Sequence, residues 1–88
     1  MPWTIEYAEA ALNQLSKFDK QTARRVVDYM DERVAPLNDP RSIGRSLVGP
    51  LGGLWRYRVG SYRIICDLQP GVRRVLVVMI GSRDKVYR

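Results

Sequence analysis

The chain contains no histidine, one cysteine and one phenylalanine in 88 residues. Without histidine it lacks the side chain whose ordinary pKa suits proton transfer near neutral pH. A single cysteine, Cys66, excludes an internal disulfide, and its place in an apolar strand pattern makes it a small buried hydrophobe. Carboxylates do not fill the gap: residues 41–88 hold only Asp67 and Asp84, too few for a two-metal site. Neither metal nor cofactor is expected. No apolar run approaches the ~20 residues needed to span a bilayer. Residues Met1 to Tyr7 show neither the basic start nor the apolar stretch of a secretory signal. A soluble cytoplasmic protein without a membrane association is the expectation.

What remains is enough for one small domain, residues 1–88, with 45% hydrophobic residues and eight aromatic ones (two Trp, five Tyr, one Phe). A chain of this length buries only about 60 to 65% of the surface exposed when unfolded, so its stability is modest. The net charge of +6 is unevenly spread: residues 1–40 carry five Lys/Arg against seven Asp/Glu, giving −2, and residues 41–88 carry ten against two, giving +8. A half that basic is suited to a phosphate-rich partner, because each neutralised phosphate releases counterions. Nucleic acid comes first, an acidic protein second. The cations fall mostly in strand-like segments and not along one face of an amphipathic helix, which disfavours a membrane surface.

Trp3, Ile5 and Tyr7 alternate with Thr4 and Glu6, the period of a half-buried strand. From Ala8 the spacing becomes helical through Ala11, Leu12 and Leu15. Asp19 is placed to cap a second helix whose stripe of Ala23, Val26, Val27, Met30 and Val34 runs to Pro36. The outward residues of this helical hairpin, Glu9, Arg24, Arg25, Asp28, Asp31 and Glu32, read as a solvated face. Residues 35–53, with three prolines and four glycines, read as a connecting loop holding Arg41 and Arg45; it is either functional or a plain crossover. Strands are expected over Leu54 to Val59, Tyr62 to Leu68 and Arg73 to Ile80. The fold class is α+β: an N-terminal strand, a helical hairpin, then a three-stranded antiparallel meander, with the helices on one face of a four-stranded sheet.

If Gly60 and Ser61 form the centre of a tight II′-type turn, Arg58 pairs with Arg63, Tyr57 with Ile64 and Arg56 with Ile65. Trp55, Tyr57, Val59, Tyr62, Ile64, Cys66 and Leu68 then share one face, and Arg56, Arg58 and Arg63 the other. Like charges directly opposite are destabilising. Folding alone would not choose that pair, whereas a phosphate lying across the strands would; the alternative is a solvated face on which the arginines aid solubility. Downstream, Arg83 and Lys85 precede Tyr87, an aromatic ring that either stacks on an unpaired base or packs on the fold.

The run Leu54-Trp55-Arg56-Tyr57-Arg58-Val59-Gly60-Ser61-Tyr62-Arg63-Ile64-Ile65, with Gly81-Ser82-Arg83-Asp84-Lys85-Val86-Tyr87 after an apolar strand, resembles the RelE/ParE toxin superfamily, nearest its RelE-like ribosome-dependent mRNA endonucleases. The order of elements fits over essentially the whole chain. The resemblance implies a type II toxin with a RelB-like antitoxin as partner in a hetero-oligomer, and the ribosome and A-site mRNA as targets. It implies Arg63 on the scissile phosphate, Arg83 as general acid, Tyr87 against the A-site nucleotide, and Arg56 and Arg58 where relatives carry basic residues, often lysines. Arg58 is thus a candidate for both catalysis and binding; Arg45 and Lys85 are further candidates for phosphate binding.

Arginine holds its proton too tightly to serve as an easy general base. Catalysis would therefore rest on positive charge and positioning, with Lys85 or Tyr87 as the titrating groups. Two alternatives stand beside the nuclease: a ParE-like inhibitor of DNA gyrase that acts by binding, and an RNA-binding relative without cleavage.

Overall fold

The computed structural model describes residues 2–49 and 52–82. Strand β1 (Thr4–Tyr7) leads into helices α1 (Glu9–Lys17) and α2 (Lys20–Tyr29). Glu9 in the first turn of α1 and Lys17 in its last complement the helix dipole. Asp19 caps α2 as its position predicts: the carboxylate accepts from the Thr22 backbone N–H at 3.3 Å and from the Thr22 hydroxyl at 2.6 Å.

The α-geometry does not persist to Pro36. It stops at Tyr29 and widens into a π-helical turn, Met30–Val34, closed by the Ala35 N–H on the Met30 carbonyl at 2.9 Å. The apolar stripe continues through the change of geometry. Val26, Met30 and Val34 lie four apart, which overshoots one α turn and falls short of one π turn. With one step of each kind, all three are fully buried.

A 3-10 turn (Pro40–Ser42) precedes β2 (Arg45–Ser46), followed by β3 (Trp55–Val59), β4 (Tyr62–Gln69), a second 3-10 turn (Pro70–Val72) and β5 (Arg74–Ser82). The sheet has five strands, in the order β1-β5-β4-β3-β2, where four were expected. The additional strand, β2, lies inside the stretch that reads as a loop; two residues are too few to display a period-two pattern. Pairing with β3 makes it a strand. β1 runs parallel to β5 and all other neighbours are antiparallel. Arg73, expected to open the last strand, adopts a left-handed φ of 50° and donates its N–H to the Pro70 carbonyl, so β5 begins one residue later.

The register from β3 to β4 is the one predicted by the Gly60-Ser61 turn, from Val59 opposite Tyr62 to Arg56 opposite Ile65. Gly60 has φ +59°, the value that the first central residue of a II′ turn needs. Both helices cover one face of the sheet. Trp3, Ala11, Val26, Met30, Tyr57, Ile64, Cys66, Val75, Val77 and Ile80 form the core there, with Trp55 and Val59 packed against it and Tyr62 against Phe18 at 4.8 Å. Opposite Ile65 and Cys66 the register skips Val78, a β-bulge that lets Val75, Val77 and Ile80 all reach the core.

Candidate nucleic-acid interface

The face away from the helices carries the arginines. Cross-strand partners point to the same side of a sheet, so Arg58 opposite Arg63 and Arg45 opposite Arg56 place four guanidinium side chains together. Their exposure differs with strand position. β4 is the middle strand, and Arg63 on it is 5% exposed, between Arg58 on β3 and Gly81 on β5. Arg45 and Arg58 near the edge are exposed, and Arg56 is half-buried. This face is therefore not a uniformly solvated surface: Ile65, paired with Arg56 and Met79, is fully buried on it. Of the carboxylates on this face, Glu6 pairs with Arg74 at 3.6 Å and Asp67 accepts from Gln69 at 2.9 Å.

Arg45 reaches the cluster because the preceding segment is stitched to β3. The buried Tyr57 hydroxyl donates to the Pro40 carbonyl at 2.7 Å, and the Trp55 indole N–H to the Ile43 carbonyl at 2.8 Å. Arg41 lies over the Trp55 ring at 5.8 Å. Gly44 permits this close approach: its φ is +82°, and a Cβ there would lie 2.5 Å from the Arg56 carbonyl oxygen.

Two hollows share Arg58 in their linings. One, about 190 Å³, is lined by Arg58, Gly60, Ser61 and Arg63. The other, about 530 Å³ at the sheet edge, is lined by Tyr29, Ile43, Gly44, Arg45, Arg56 and Arg58. Their linings run from the β3–β4 turn to Tyr29 of α2 and define the candidate groove. Such an arrangement can hold successive phosphates and stabilise charge developing on one of them. Among the described residues it includes no lysine, so this part of the groove has no side chain suited to taking a proton at neutral pH. Arg83, Lys85 and Tyr87, the remaining candidates, lie outside the described residues.

Two neighbours of the groove are invisible to side-chain periodicity. Arg25, on a helix face that reads as solvated, brings its Nη2 to 3.3 Å from where a Gly60 Cβ would stand. Tyr29, one helical turn further on, packs near Tyr57 with ring centroids 6.3 Å apart. Burial raises its phenol pKa, and nearby Arg33 opposes the rise. Their four-residue spacing is the one sequence signal for a shared face, but only the fold shows which face meets the groove.

A helical hairpin on one face of a mixed sheet is a fold that this chain shares with solved RelE toxins. One chain of a RelBE toxin–antitoxin complex from Mycobacterium tuberculosis matches it with a TM-score of 0.85 at 22% identity, over 94% of this chain and 93% of that one. The family model described as the ParE toxin of type II toxin–antitoxin systems matches residues 5–87, and the chain belongs to that family. In sequence it is similar to toxin RelE of Mycobacterium tuberculosis, at 28% identity over 99% of this chain and 88% of the relative. It is also similar to toxin RelG of the same organism, at 24% over 100% and 99%. The superfamily and the α+β fold expected from the hairpin motif are thus borne out. No described helix is long and apolar enough to cross a membrane.

Proposed function

We propose that this type II toxin is a metal-independent, ribosome-dependent endoribonuclease that cleaves mRNA in the A site and halts translation in the cytoplasm, restrained by a RelB-like antitoxin. The observation that carries the reading is the pair of facing arginine pairs, Arg58–Arg63 and Arg45–Arg56, on one open face. Sheet folding disfavours such pairs, and a chain of phosphates favours them.

In this reading Arg63, held by the middle strand, stabilises the phosphorane charge. Arg58 shares that task, while Arg45 and Arg56 hold flanking phosphates together with Lys85. Arg83 protonates the leaving 5′-oxygen and Tyr87 orients the nucleotide, following the family pattern. A guanidinium-rich site without a strong acid/base pair depends on a substrate already oriented, which the ribosome supplies. An acidic antitoxin segment would cover the same cations; the RelBE complex among the similar structures supports such a partner.

The test is to add the protein to a translating extract and map mRNA ends by primer extension. A-site cuts are expected; their absence with the wild-type protein sinks the reading. Arg63→Ala should abolish the cuts and keep the fold. The ParE description of the matched family favours a second reading, a DNA gyrase inhibitor acting by binding. DNA breaks in the presence of gyrase, without mRNA cuts, would establish it.

A further inference from the structure

We infer that the groove continues round the sheet edge on to α2, where Tyr29 stacks an unpaired RNA base while Arg45, Arg56 and Arg58 hold the adjoining phosphates. The inference rests on the RNA reading above and adds a base subsite to it. The edge cleft, about 530 Å³, lies within the size range of small-ligand sites and is lined by two kinds of chemistry. Tyr29 and Ile43 supply the apolar side, and the three arginines supply the cations.

The ring is restrained before any ligand arrives. Tyr29 is half-buried against Tyr57, which is itself anchored through its hydroxyl to the Pro40 carbonyl at 2.7 Å. A base stacked there loses little of its binding to ordering of the protein. Cations continue on both sides: Arg25 lies four residues before Tyr29 beside the Gly60 turn, and Arg33 four residues after it, near enough to act on the phenol charge. An aromatic platform between cations is how single-stranded nucleic acid is gripped without dependence on base identity. Because burial raises its pKa, the phenol stays protonated and can also donate a hydrogen bond.

The test uses the whole chain at low salt without ribosomes. Isotope-labelled protein is titrated, by NMR, with a single-stranded adenylate hexamer and with an abasic ribose-phosphate hexamer of equal charge. Amide signals of Tyr29 and Gly44 should move with the adenylate hexamer and much less with the abasic one. Tyr29→Leu should weaken adenylate binding on the order of ten-fold and remove the difference between the two probes, whereas Tyr29→Phe should preserve both. Arg25→Gln with Arg33→Gln should lower the slope of log affinity against log salt by about 0.7 for each phosphate that is no longer neutralised.

Stationary Tyr29 and Gly44 signals overturn the subsite, whether the hexamer binds only near Ser61 and Arg63 or not at all. A response at these positions to polyglutamate but not to RNA also overturns it and makes the cleft a protein-docking site. Because wild-type protein gives the primary readout, the test survives a variant that fails to fold. Base-dependent shifts without A-site cuts in extract would sink the endonuclease and leave the subsite, and cuts with stationary signals would do the reverse.

Discussion

Replacing Arg58 by glutamine should stabilise the free protein and weaken its hold on anions. Arg58 and Arg63 face each other across β3 and β4, which sets their Cβ atoms about 5 Å apart. Two unit charges about 7 Å apart in water repel by roughly 0.6 kcal/mol. The repulsion is stronger where one partner is shielded from water, and Arg63 is only 5% exposed. Glutamine keeps much of the aliphatic stem while removing the charge.

For a chain of this size a gain of ~0.6 kcal/mol corresponds to about 2 to 5 °C in Tm. Thermal unfolding at low ionic strength should show that increase, and 0.5 M sodium chloride should shrink it, since screening then acts within about 4 Å. Phosphate or short RNA should reverse the order of stability. A ligand bound to the folded state adds about 2.7 kcal/mol at a hundredfold excess over its Kd, and the wild type binds more tightly. An Arg58→Gln variant no more stable than wild type at low salt, with an unchanged response to phosphate, would refute the reasoning.

Two buried phenols should respond oppositely to loss of the hydroxyl. Tyr57→Phe leaves the Pro40 carbonyl without its 2.7 Å donor and should lower stability by about 1 to 2 kcal/mol. Tyr7→Phe removes a buried hydroxyl with no hydrogen-bond partner among the described residues, and should be neutral or stabilising by up to about 1 kcal/mol; urea midpoints measure both. Stability should also fall on the alkaline side. Burial raises the Tyr7 phenol from 10.0 to about 12 and pushes the Cys66 thiol well above its ordinary 9.0, with Tyr57 raised as well. These groups favour the folded state fully below pH 9, where both states keep the proton. That contribution is lost as pH rises toward 12, because the unfolded chain ionises first. A urea midpoint unchanged between pH 8 and 11 would contradict their burial.

Several features were legible because the determinant lies within a few residues. Asp19 and Thr22 make the cap of α2 by themselves, and the alternation in β3 and β4 assigns each residue to a face. The Gly60-Ser61 turn then sets the register, and with it the facing pair Arg58–Arg63. By contrast, β2 exists only through pairing with β3, and the interactions of Gly44, Trp55 and Tyr57 that hold it in place span up to seventeen residues. Arg45 therefore reads as a basic residue in a loop, although it stands beside Arg56. The π turn is hidden too, since apolar residues four apart, Val26, Met30 and Val34, suit an uninterrupted α-helix equally well.

Local chemistry alone settled the class of fold, the concentration of positive charge in the second half and the arginine pair of the hairpin. Each follows from side-chain period, turn geometry or a count of charges. The long-range assembly decided the rest: that Arg63 is buried on a middle strand while Arg58 is exposed, and that Arg25 and Tyr29 of a helix border the same groove. Burial and proximity are properties of strand order and of helix placement on the sheet. Neither is encoded in the neighbours of a residue along the chain.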